Sequence, residues 1–174
     1  SGQVAGMLSA GFDQRAFRWT NGTWVELGTL DNNGIHESSW GYGLNDAGQV
    51  VGTTHVPAGV THAFLWDNGA LTDLGTFGGA YSEARDINAA GQIVGDARTN
   101  NGDHAFLRQG GTMTDLGTLG GIHSYARAIN DAGQIVGWSL TIGNGETHAF
   151  LWQGGTMSPL PTLGGSDTRA GRLL

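Results

Sequence analysis

One feature constrains this chain more than any other: three short strings recur four times, always in the same order. Gly-Gln-Val/Ile-x-Gly stands at 2–6, 48–52, 91–95 and 133–137, so its first glycines are 42–46 residues apart. Arg15-Ala16-Phe17-Arg18-Trp19 is echoed by His-Ala-Phe-Leu-Trp at 62–66 and 148–152 and by His-Ala-Phe-Leu-Arg at 104–108. Leu-Gly-Thr-Leu/Phe follows at 27–30, 74–77 and 116–119, and Leu-Pro-Thr-Leu at 160–163. A period of this length carried by β-branched and aromatic runs is the signature of four-stranded propeller blades.

Each copy reads as four strands, a to d. In the last, an alternating run over 125–130 ends in Asn-Asp-Ala-Gly, followed by 134–138, 148–152 and 156–160. The a–b and c–d links carry Asn, Asp and Gly, which suit tight hairpins with positive φ. No stretch keeps helical apolar spacing over three turns. A lone four-stranded sheet cannot cover both faces, whereas sheets standing in a ring can. The chain opens on a strand b, and residues 166–174 align with 80–88 as an orphan strand a, with Leu173 in the place of Ile87. The expected fold is therefore all-β: a single domain over 1–174, a four-bladed β-propeller of four-stranded antiparallel blades closed by the C-terminal strand. The blades are 1–35 with 166–174, then 36–79, 80–121 and 122–165. A fragment that oligomerises into a larger ring is the alternative.

Composition narrows the function. The 32 glycines beside only 3 prolines indicate many tight turns rather than a flexible linker. A net charge of −7 with 8 cationic side chains disfavours nucleic acid and anionic membrane surfaces. There is no cysteine, so disulfides and thiolate chemistry are excluded, and no apolar run approaches a membrane span.

The strings His-Ala-Phe-Leu-Trp, Thr-Asp-Leu-Gly-Thr-Leu-Gly-Gly and Ile-Asn-Asp-Ala-Gly-Gln-Ile-Val-Gly resemble the bacterial extracellular repeats of the HAF family. The resemblance covers nearly the whole chain. It implies export to the cell surface or envelope, and no particular reaction. Arg15, Arg108, Pro159 and Pro161 depart from the pattern.

Residues that recur once per copy read as structural. His62, His104 and His148 are expected to hydrogen-bond acids of strand d, such as Asp73 and Asp115, and Trp19, Trp66 and Trp152 to pack between blades. The Gly-Gly pairs lack the following helix a phosphate loop needs. Function is expected where the copies differ, on the face where strand a begins. His36, Glu37, Trp40, Tyr81, Glu83, His123, Tyr125 and Asp167 fall there. Aromatic faces beside carboxylates suit a sugar or another small polar ligand. His36 and His123 with a glutamate form a weaker metal reading, and neither metal nor cofactor is expected.

The chain therefore reads as a secreted bacterial binding or structural module recognising a glycan, a small polar ligand or an envelope protein. It is read as a monomer or self-assembling ring, without nucleic acid and without membrane insertion. The alternatives are a hydrolase or lyase acting on an extracellular polysaccharide, with Glu37 and Glu83 as its acid/base pair, and an assembly unit of a larger ring.

Overall fold

Tight turns set the strand spacing. The c–d hairpins turn through Asn21-Gly22, Asn68-Gly69, Gly110-Gly111 and Gly154-Gly155, and both central residues of each have positive φ. That geometry matches the twist of the flanking strands and favours Asn and Gly at these sites. The computed structural model describes residues 2–10, 13–31, 38–57, 59–162, 165 and 167–173.

Four antiparallel sheets result. The first holds three strands, β1 (Gln3–Ala10), β2 (Asp13–Thr20) and β3 (Thr23–Glu26). The second runs β4 (Ser39–Leu44), β5 (Val50–Val56), β6 (Val60–Asp67) and β7 (Ala70–Asp73) in simple meander order. The third repeats this with β8 (Ser82–Ile87), β9 (Ile93–Arg98), β10 (Asp103–Gln109) and β11 (Thr112–Asp115). The fourth does so with β12 (Gly120–Ile129), β13 (Ile135–Thr141), β14 (Thr147–Gln153) and β15 (Thr156–Pro159). The architecture is all-β and propeller-like. No helix among the described residues is long and apolar enough to cross a membrane.

Successive sheets share apolar seams. Val50 and Val51 are neighbours on β5, so pleating sends them to opposite faces. Val50 packs back with Ala16, Leu27, Phe64 and Trp66, while Val51 packs forward with Ala63, Ala84, Ile87, Ile93 and Phe106. Val94, Ala105, Ala126, Ile129, Ile135 and Phe150 repeat the arrangement one blade on. Phe64, Phe106 and Phe150 are fully buried, each contributing about 2–3 kcal/mol of apolar transfer. Trp66 and Trp152 join these seams.

Each seam also carries a hydroxyl latch. The Ala63 amide donates to Ser82 Oγ at 2.9 Å, and the Ser82 hydroxyl donates to the Gly75 carbonyl at 2.6 Å. Ser39 does the same with Ala16 and Gly28, and Ser124 with Ala105 and Gly117. Buried amides require such partners.

Glycine in Gly-Gln-Val/Ile-x-Gly reflects close strand approach. A Cβ on Gly95 would lie 1.9 Å from the Glu83 carbonyl, on Gly137 1.9 Å from that of Tyr125, and on Gly52 1.8 Å from that of Trp40.

The C-terminal segment departs from expectation. Among the described residues it forms no strand with β1, and the first sheet has three strands instead of four. It follows the a-strand course nonetheless. Asp167 bridges Thr147, the Ala149 amide donates to Thr168 Oγ1 at 3.0 Å, and Arg169 lies over the Trp138 ring at 4.8 Å. Leu173 meets Leu44, Ile87 and Ile129, its counterparts in the other three copies, around a cavity of about 310 Å³. Four copies thus converge on one point.

Candidate functional site

The innermost strands β4, β8 and β12 share an irregularity that builds the site. Gly41 pairs with Gly52 and Gly43 with Val51, which leaves Tyr42 as an extra residue. Arg85 is bulged out the same way between Ala84 and Asp86, and Arg127 between Ala126 and Ala128. Bulges of this kind re-aim side chains and gather near functional sites.

Glu83 is the hub. Its side chain is nearly buried and accepts from Arg85 at 2.5 Å and from the Tyr81 hydroxyl. Tyr42 directs its phenol toward it, and the Arg85 guanidinium lies over the Tyr42 ring at 4.9 Å. Opposite Glu83 on the neighbouring strand stands Asp96, 1% exposed. Burial, and then the charge of Glu83, push the Asp96 carboxyl up to about 7, with Arg85 and Arg127 opposing. Asp96 Oδ1 and Arg85 Nε face each other at 4.0 Å, and neither makes a hydrogen bond.

A second acid hub lies one blade on. Asp103, also buried, is bonded by both Arg98 nitrogens, by the Tyr125 hydroxyl at 3.2 Å, and lies 3.8 Å from His123 Nδ1. That same His123 nitrogen accepts from the Asp103 amide at 3.0 Å. Tyr125 stacks on Trp138 with centroids 4.1 Å apart. Burial and the nearby carboxylates push Tyr42 and Tyr125 up to about 12 and raise Tyr81 well above the ordinary tyrosine value. All three phenols therefore remain hydrogen-bond donors.

Of the residues predicted here, Tyr81 and Glu83 form one cluster and His123 and Tyr125 the other. Trp40 donates its indole N–H to Gln14 and stands edge-on to His55 at 5.5 Å, in the register position that Glu83 and Tyr125 occupy in their own copies. Asp167 sits on the same rim, exposed and 3.5 Å from Arg169. His36 and Glu37 lie outside the described residues. No group of three or more His, Asp or Glu suited to a metal occurs among the described residues.

Asp96, Asp103, Arg85, Arg127, Trp138 and Arg169 belong to the site but were not singled out from sequence. A signal is present for two of them: Thr53, Asp96 and Trp138 differ at one register of β5, β9 and β13. Strand pairing runs through 96–98 and again from 103, so Asp96 and Asp103 both belong to strands.

The recurring histidines behave structurally. His62 Nδ1 meets Asp73 at 2.9 Å and His104 Nδ1 meets Asp115 at 2.8 Å. His148 turns to Glu146 at 3.2 Å, because the strand-d acid of that copy is replaced by Pro159.

No family model and no curated protein sequence matches the chain. Among solved structures it is similar to TolB from Acinetobacter baumannii, with a TM-score of 0.65 at 12% identity over 91% of this chain. The chain spans 40% of that protein's length, and the likeness shows the fold alone.

Proposed function

We propose that this chain is a binding module, not an enzyme, and that the rim where β4, β8 and β12 begin recognises a glycan. The observation carrying this reading is the convergence of four aromatic side chains, Tyr42, Tyr81, Tyr125 and Trp138, on the buried carboxylates Glu83, Asp96 and Asp103. Aromatic faces take the C–H faces of sugar rings, while fixed carboxylates and phenols take hydroxyls. Glu83 and Asp103 are locked by arginine and tyrosine, which favours preorganised recognition over proton shuttling. Asp96, the one carboxyl held near neutrality, is sealed from a substrate's reach. The test is a glycan array followed by calorimetry on the hits. Trp138→Ala and Glu83→Gln should weaken binding at least tenfold while unfolding remains cooperative. A blank array, or hits indifferent to both changes, would refute the reading. Support for an extracellular setting is the resemblance of the repeat strings to exported bacterial repeats.

The same proposal includes a closed ring in which residues 168–173 pair with β1. Gly6 supports this. A Cβ there would meet only the Phe17 ring, at 3.2 Å, whereas its counterparts face a strand-a carbonyl. The glycine makes sense once the Arg169 carbonyl approaches it. By the register of the other copies, Arg169 should oppose Met7. The chain lacks cysteine, so Met7→Cys with Arg169→Cys gives a clean reporter, provided the Cα atoms fall within about 7 Å. Oxidation should yield an intramolecular disulfide in a monomer of about 18 kDa. Disulfide-linked multimers would favour the larger-ring alternative instead.

A further inference from the structure

The chain is acidic overall, and all eight of its cations are arginine. Four of them, Arg85, Arg98, Arg127 and Arg169, gather at the rim described above. Three are committed to carboxylates: Arg85 to Glu83, Arg98 to Asp103 and Arg169 to Asp167. Arg127 is different. It lies 5.7 Å over the Tyr125 ring, and among the described residues no hydrogen bond or ion pair engages its guanidinium. It projects from the third of the repeated bulges, at the register where the second copy has Tyr42 and the third has Arg85.

An arginine placed by a bulge beside an aromatic stack, with its donors unspent, is a receptor for a planar anion. We infer that the ligand is an acidic glycan whose uronate carboxylate is taken by Arg127 while its ring stacks at Tyr125 and Trp138; this rests on the glycan reading of the same rim. The surroundings select a single negative charge. Glu83, Asp96 and Asp103 lie close by, so a dianion such as phosphate would be repelled, whereas a monoanionic carboxylate matches the one arginine of this rim that, among the described residues, makes no hydrogen bond or ion pair. The planar fork of the guanidinium suits a bidentate carboxylate.

The experiment titrates the protein with trimers of galacturonate, glucuronate and mannuronate, each alongside its neutral methyl ester, with inorganic phosphate as competitor. At least one acid trimer should bind ten times more tightly than its ester. Arg127→Gln should abolish that preference, Arg127→Lys should restore only part of it, and thermal unfolding should change little in either. Added salt should weaken the acid far more than the ester. Esters that bind as well as acids, or an acid preference that survives Arg127→Gln, would overturn this inference and leave the glycan reading standing. Equal competition by phosphate would overturn it as well. Failure of every trimer together with a blank array would remove both.

Discussion

The seam between the second and third sheets and the open face of the first sheet are assembled from the same repeat, yet they differ. In the former, Ile93 is fully buried against Val51 and Ala63, and the same register position is closed by Val50 and Ile135 in the other two seams. In the latter, Val4 holds that position and is 50% exposed, with Met7 and Leu8 uncovered on the same strand. The residue type is unchanged while its surroundings are not. What covers Val50, Ile93 and Ile135 is the preceding sheet, through Ala16 and Leu27, Val51 and Ala63, and Val94 and Ala105 in turn, and among the described residues β1 has no such cover. Burial in this protein is therefore a property of the neighbour rather than of the side chain.

The largest effect should come from glycine. Gly95→Val places a methyl-bearing carbon against the Glu83 backbone carbonyl, a clash that neither strand can relieve. A loss of about 3 kcal/mol or more, or no soluble fold, is expected in denaturant unfolding. Gly6→Val should be nearly neutral if the β1 edge stays open and equally damaging if residues 168–173 close over it, so the ratio of the two effects measures closure directly.

Next come the hydroxyl latches. Ser82→Ala strands the buried Ala63 amide and the Gly75 carbonyl, for a cost of about 2 kcal/mol. Thr168→Val, against the Ala149 amide where the C-terminal segment meets the fourth sheet, should cost less than half of that. Equal losses would show that the C-terminal segment is held as tightly as an innermost strand.

Charge sharpens the comparison further. Asp96 sits in a tight seam with its carboxyl pushed up to about 7, mainly by burial. The folded state therefore binds a proton that the unfolded chain has already released above about pH 4. Stability contributed through this group is greatest below that point and falls as pH rises toward about 7. Asp96→Asn should remove this slope and stabilise the protein at pH 8 by on the order of 2 kcal/mol. A wild-type and variant difference that stays flat from pH 4 to 8 in thermal unfolding would contradict it. The smallest effect should come from the outer surface. His104→Gln, breaking the partly exposed pair with Asp115, should cost under about 1 kcal/mol.

The fold is legible in the sequence because each repeated string performs a backbone task. Asn68-Gly69 makes a turn, Gly95 admits a neighbouring strand, and Phe106 fills a seam. Such tasks recur once per blade and therefore show as periodicity. The site is legible only in part. Glu83, Tyr81 and Tyr125 stand out as aromatic and acidic departures near the strand starts. Asp96 does not, because its role depends on cross-strand pairing with Glu83 that no linear spacing displays. Arg127 escapes for another reason: it stands where the preceding copy has Arg85, so in the sequence it belongs to the repeat and not to the departures from it. Ser39, Ser82 and Ser124 act on partners in the preceding copy, which no spacing within one repeat displays.

Those serines have a consequence for how the molecule is made. Each latch is one-way: the hydroxyl that satisfies an amide belongs always to the later copy. A chain emerging from the ribosome therefore satisfies the amides of each blade only when the next one begins to appear, and carries an incomplete joint at its growing end beside the uncovered edge of β1. Synthesis and assembly then share one direction, and the hazard of mismatched neighbours falls on β1 and on whichever copy was translated last.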